Sequence, residues 1–125
     1  MPPAAPTVLL VEDDPVILRL LEVNFDLEGF SVLLAEDGAE GVAMARAKRP
    51  DAIVTDIMMP NMTGIELVQT LKADPATSSI PVLLLSAKAQ TSDLKAGMDA
   101  GADDYVTKPF EPLDLIDRVN ALLSR

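Results

Sequence analysis

Short apolar runs alternate along this chain with segments of helical periodicity, and this alternation leaves few folds open. The runs are Thr7–Val11, 30–35, 52–55, 82–85 and 105–107. Four of them are followed at once by chemistry-bearing side chains: Glu12-Asp13-Asp14, Asp56, Ser86 and Lys108. Helix-like segments lie between the runs, so the strands are expected to be parallel and to end on one edge. Nearly continuous apolar strands such as 82–85 indicate a sheet covered on both faces. In such sheets ligands bind outside the carboxyl ends of the strands, so the four polar islands predict one composite site.

The connecting segments carry helix signals. Asp14-Pro15 offers an N-cap followed by proline at the first helical position, and Ile17, Leu20, Leu21 and Phe25 recur at helical spacing until Gly29. Asp37 and Glu40 form a capping-box-like start to an alanine-rich helix over 38–47, and Thr63 with Glu66 opens a third helix that Pro75 ends. Residues 57–62 carry proline and asparagine and read as a loop. A helix over 91–100 stops at Gly101, and Pro112 begins a last helix striped by Leu115, Ile116, Val119, Leu122 and Leu123. Residues 1–6, with three prolines, read as a flexible N-terminal tail, and 7–125 as one domain. The expected architecture is a doubly wound α/β sandwich of five strands and five helices.

Composition narrows the chemistry. A chain of 125 residues without cysteine or histidine excludes disulfide frameworks, zinc ribbons, Cys or His nucleophiles and an internal phospho-histidine. Acidic residues outnumber basic ones 20 to 10, and the formal charge of −10 disfavours direct contact with nucleic acid. The apolar stretch from Val8 to Val11 runs straight into three acids, which fits neither a signal peptide nor a membrane span. A cytoplasmic protein is expected.

Several like charges in one crevice are unfavourable unless a cation or proton compensates them. Magnesium suits the donor set, because it takes oxygen ligands, keeps several waters and is usually held by one or two carboxylates plus phosphate oxygens. Asp13 and Asp56 are the expected direct ligands, Glu12 acts through water, the backbone carbonyl of Met58 closes the shell, and Asp14 caps the helix. Asp56 ends an apolar strand, where an ionised carboxylate can attack phosphorus and form an acyl phosphate. Lys108 is followed by Pro109, which favours a sharp turn and is open to a cis bond, so the ammonium can reach back across the strand ends. It would pair with Asp56 at rest and with a phosphoryl oxygen after transfer. Ser86 can hydrogen-bond the same group.

The segments that carry these residues resemble the bacterial response-regulator receiver domain of two-component signalling, of the chemotaxis-regulator type. They are Val-Leu-Leu-Val-Glu-Asp-Asp from Val8, Asp56-Ile-Met-Met-Pro-Asn-Met-Thr-Gly64, Leu85-Ser-Ala87, and Gly101-Ala-Asp-Asp-Tyr-Val-Thr-Lys-Pro-Phe110. The resemblance spans nearly the whole chain and implies a parallel sheet in flavodoxin-like order 2-1-3-4-5. It implies that Asp56 is the phosphoryl acceptor, Glu12 and Asp13 the acidic metal pair, Ser86 the switch hydroxyl, Tyr105 the aromatic switch and Lys108 the invariant lysine. It further implies magnesium, a sensor histidine kinase or phosphotransfer protein as donor, and a downstream protein or a further output domain as receiver of the signal. Phosphorylation would change the surface of the fourth helix, fifth strand and fifth helix.

Glu12 stands where the family commonly has aspartate and Ser86 where it has threonine, and both keep the needed oxygen. The resemblance implies that Met58 and Lys88 occupy positions that influence dephosphorylation. Asp103, Asp104 and Arg118 resemble the charged dimer face of winged-helix regulators, whereas Leu94 and Asn120 replace its usual basic residues. A monomer or a weak phosphorylation-dependent dimer is therefore expected. Two other functions compete: a magnesium-dependent phosphatase, which usually needs a second acid where Met58 stands, and a binding scaffold that has lost phosphorylation, whose missing acids or lysine are all present here. The only chemistry expected is self-phosphotransfer and autodephosphorylation, not turnover of outside substrates.

Overall fold

The structure, a computed structural model, describes residues 5–87 and 91–125. Its elements alternate as β1 (Thr7–Val11), α1 (Pro15–Leu27), β2 (Ser31–Ala35), α2 (Gly38–Lys48), β3 (Ala52–Asp56), α3 (Gly64–Ala73), β4 (Val82–Ala87), α4 (Thr91–Ala100), β5 (Asp104–Lys108) and α5 (Pro112–Leu123). The strands form one parallel sheet in the order β2-β1-β3-β4-β5. This is the doubly wound, flavodoxin-like arrangement.

Strand alternation divides the core into two layers. Val8, Leu10, Val54, Leu83, Leu85 and Val106 face Leu18, Leu21 and Phe25 of α1 and Leu115, Ile116, Val119 and Leu122 of α5. Leu9, Val11, Ile53, Val82 and Leu84 face Val42 and Ala45 of α2 and Leu67, Val68 and Leu71 of α3. Full burial of one such leucine contributes about 1.5–3 kcal/mol.

The helix starts follow the sequence. Asp14 caps α1 by accepting from the Val16 amide at 2.9 Å, with Pro15 at the first helical position. Thr63 and Glu66 form a complete capping box, with bonds of 3.1 and 3.2 Å. At α2 only half of the box forms: Asp37 accepts from the Glu40 amide, but the Glu40 carboxylate turns to the Glu36 amide instead. Gly29, at φ +88°, ends α1 in the left-handed region that a side chain would strain.

Three sequence expectations change. β4 runs two residues past Leu85, placing Ser86 inside a strand because its partner β5 is itself longer, Asp104–Lys108. Leu20 belongs to the surface of α1, and Leu18 takes its place in the core. Pro6 is not loose, because its carbonyl accepts from the Ser31 amide at 2.9 Å and extends the β1–β2 ladder. Residues 1–4 of the expected tail, and Lys88, lie outside the described residues.

Candidate phosphoryl-acceptor and metal site

Register and alternation assemble the site. Val11 pairs with Thr55 and Asp56 with Leu85, so Glu12 and Asp56 are neighbours one step beyond the β1–β3 ladder. Glu12 continues the face of Val8 and Leu10, Asp56 that of Val54, and Lys108 that of Val106. All three therefore meet on the α1/α5 side at the carboxyl edge of the sheet.

Lys108 Nζ lies 3.2 Å from Asp56 Oδ1 and 3.6 Å from Glu12 Oε1. Glu12, Asp13 and Asp56 each bring one carboxylate oxygen within 4.8 Å of the others. Glu12 is 1% and Asp56 6% exposed, while Asp13 opens to solvent. Burial pushes the Glu12 carboxyl up to about 7, helped by the neighbouring Asp56 charge and opposed by Lys108. Burial also raises Asp56, with Lys108 pulling the other way.

Glu12 Oε2 is buried with no hydrogen-bond partner among the described residues. Among the described residues one ammonium, that of Lys108, pairs with two of the three clustered carboxylates, which leaves the cluster under-compensated, and an orphaned buried oxygen is costly. An all-oxygen set with an unfilled acceptor fits a hard divalent cation.

The other expected residues are placed less uniformly. Ser86 is fully buried on the face opposite to Asp56, that of Leu84, and its hydroxyl donates to the Ala87 carbonyl at 3.0 Å. Tyr105, paired with Leu84, shares that face and is 42% exposed. Met58 follows Asp56 in the loop and exposes its side chain. The Lys108–Pro109 bond is cis. Asp104 and Arg118 pair within the chain at 3.3 Å, and Asp103 pairs with Lys72 and Arg125.

One feature escaped the sequence reading. An apolar groove of about 420 Å³ opens beside Lys108, lined by Ile17, Leu20, Ala87, Pro109 and Phe110. Its signal was an excess of apolar residues on α1 over what one core stripe needs: Val16, Leu20, Val23 and Leu27 are all exposed.

The family model described as a response regulator receiver domain matches residues 8–120. The chain belongs to the response-regulator receiver family. Among curated relatives, this receiver domain is 43% identical over 120 residues to the DNA-binding dual master transcriptional regulator RpaA of Synechocystis sp., covering 96% of this chain and 50% of that protein. It is 47% identical over 121 residues to the transcriptional regulatory protein PrrA of Mycobacterium tuberculosis, covering 97% of this chain and 51% of that one. The chain thus spans about half the length of these relatives. Among solved structures, it resembles the receiver domain of the sensor histidine kinase PA1611 of Pseudomonas aeruginosa PAO1, with TM-score 0.90, 30% identity, and coverage of 98% of this chain and 100% of that one. That structure has a magnesium ion coordinated in its active-site cleft. Receiver domains are signalling domains of two-component systems, with an acidic site for magnesium. No described helix of this one is long and apolar enough to cross a membrane.

Proposed function

We propose that Asp56 accepts a phosphoryl group, in a magnesium-dependent reaction, from a phospho-histidine carried by a sensor histidine kinase or a phosphotransfer protein. The observation that carries this reading is a nearly buried aspartate at the end of the central strand, 3.2 Å from one ammonium and clustered with two further carboxylates. Asp13 and Asp56 would hold the ion directly, Glu12 would act through water, and the Met58 carbonyl would close the shell. Bound there, magnesium would supply charge neutralisation for the phosphoryl oxygens.

Asp56 attacks phosphorus as the nucleophile. The bond from phosphorus to the donor nitrogen breaks, and the imidazole leaves with the electron pair. Lys108, paired at rest with Asp56 and Glu12, turns to a phosphoryl oxygen. Ser86 exchanges the Ala87 carbonyl for the same group, and Tyr105 turns inward, altering the surface of α4, β5 and α5. Thermodynamically this is a population shift, driven by better phosphoryl contacts in the active arrangement. Autodephosphorylation completes the proposed chemistry. With Met58 two residues after the acceptor, no second acid serves outside substrates there.

The donor protein needs a docking surface next to Asp56. On α1 the exposed Val16, Leu20, Val23 and Leu27 are spaced four, three and four apart, a heptad-like seam that suits a helical partner. The apolar groove beside Lys108 adjoins it at Leu20. Downstream, the signal passes to a partner protein or an output domain such as the longer relatives have room for. The charge of −10 is the reason to propose that this segment does not itself engage nucleic acid. Arg118 and Asp103 are engaged within the chain, which supports a monomer or a weak phosphorylation-dependent dimer. The cytoplasm is the proposed compartment.

Phosphorylation with acetyl phosphate and magnesium, followed by borohydride reduction and peptide mapping, is expected to find homoserine at position 56. Reduction at any other carboxylate would refute the assignment.

A further inference from the structure

Two glycines close on the segment that links Asp56 to α3, and their role goes beyond the acceptor reading. Gly64 opens α3 with φ outside the left-handed region, so backbone freedom does not explain it. A Cβ there would sit 2.3 Å from the Asp56 carbonyl oxygen, 2.9 Å from Ile57 Cα and 3.1 Å from the Asp56 carbonyl carbon. All three are main-chain atoms, so no side-chain rotation relieves the clash. The Gly64 amide also donates to the Ile57 carbonyl at 2.8 Å.

Gly38 meets the same segment from α2. A Cβ there would lie 2.8 Å from both Met62 Cβ and Cγ and 3.0 Å from the Met62 carbonyl oxygen. The Gly64 contact cannot relax by retreat of α3, because Leu67, Val68 and Leu71 are buried in the core and the capping box fixes its first turn, and retreat of α2 from Met62 is opposed by the buried Val42 and Ala45. The start of the segment is held as well, through the Ile57 amide bonded to the Leu85 carbonyl at 3.1 Å.

We infer that Gly64 and Gly38 are positioning residues for the acceptor site: their missing side chains let α3 seat directly on the main chain of Asp56 and Ile57, and α2 on Met62 of the same segment. This close seating holds the Asp56 carboxylate against Glu12, Asp13 and Lys108. The inference takes from the proposed function what the site does, but the cradle itself stands on the steric contacts. Displacing an acceptor by a fraction of an ångström weakens cation binding and slows transfer, since both depend on several groups converging.

The test compares Gly64→Ala and Gly38→Ala with the parent and with Gly29→Ala. Gly29 has φ +88° and nothing within 4 Å of an added Cβ, so Gly29→Ala strains the chain without touching the site. Each protein is measured for thermal stability, for magnesium affinity by calorimetry, and for phosphorylation rate at saturating magnesium and acetyl phosphate. Folded Gly64→Ala is expected to lose about ten-fold in both affinity and saturated rate, with Gly38→Ala moving both the same way by less. Gly29→Ala is expected to lower Tm and keep the parent's affinity and rate. Parent-like affinity and rate in folded Gly64→Ala, or in Gly38→Ala should Gly64→Ala not fold, would overturn the inference. A parent that takes up no phosphoryl group sinks the acceptor reading alone, because the magnesium affinities still decide what the glycines do.

Discussion

At position 12 a carboxylate continues the inward face of a strand, and that placement ties its charge to whatever else occupies the site. Its carboxyl is raised from the ordinary 4.5 to about 7 by burial and by Asp56. A group held more strongly protonated in the folded state contributes stability that is complete below its unfolded pKa and lost as pH rises through the folded value. Without divalent cations, Tm is therefore expected to fall between about pH 5 and about pH 8, and Glu12→Gln to flatten that fall. A cation that needs the ionised carboxylates reverses the loss, so magnesium should raise Tm more at about pH 8 than at about pH 5.5. An equal magnesium effect at both values, read by thermal melting, would contradict the assignment of Glu12 to the metal site. Glu12, Asp13 and Asp56 were legible as one acidic cluster from their positions after apolar runs. That Glu12 is buried while Asp13 is exposed follows from strand alternation carried one residue past Val11, a step the motif alone does not reveal.

Between the elements, polar links do what the apolar layers do within them. Thr63 and Glu66 close the first turn of α3 directly behind the Asp56 segment, and Thr63→Ala is expected to cost about 1 kcal/mol in denaturant unfolding. Lys72 at the end of α3 donates to the Ser78 and Ile80 carbonyls and to Asp103, which also accepts from the Val82 amide and from Arg125 at the end of the chain. Burial alone would raise the Asp103 carboxyl, but the Val82 amide, Arg125 and Lys72 outweigh it and hold it below the usual carboxylate value. Its contribution is thus present above its unfolded pKa of about 3.8 and lost as pH falls through the lower folded value. Asp103→Asn is expected to lose about 2 kcal/mol near neutral pH, with the deficit shrinking below about pH 4. A deficit independent of pH would show that shape rather than charge is at stake. The helix starts were readable because a cap is a local motif. The Lys72–Asp103 link, the burial of Ser86 and the seating of Gly64 on Asp56 were not, because each joins residues that only the tertiary fold brings together.

Across the whole molecule, a sheet in order 2-1-3-4-5 puts the strand that ends in Asp56 in the centre and the strand bearing Lys108 and Tyr105 at one edge. Parallel connectivity was readable from the alternation of runs and helices, whereas the strand order came from the family resemblance and was then found in the structure. Tyr105 is the only tyrosine, and the chain has no tryptophan, so its fluorescence reports one place on the α4–β5–α5 surface. Phosphorylation is expected to shield Tyr105 from a soluble quencher. Unchanged quenching in fully phosphorylated protein would count against the inward turn of the ring. Intact mass after acetyl phosphate treatment reads the proposed magnesium-dependent acyl phosphate directly. The parent should gain one phosphoryl group with magnesium and almost none without it, and Asp56→Asn should gain none. A folded parent that gains no mass with magnesium, or an Asp56→Asn variant that gains as much as the parent, would contradict the account.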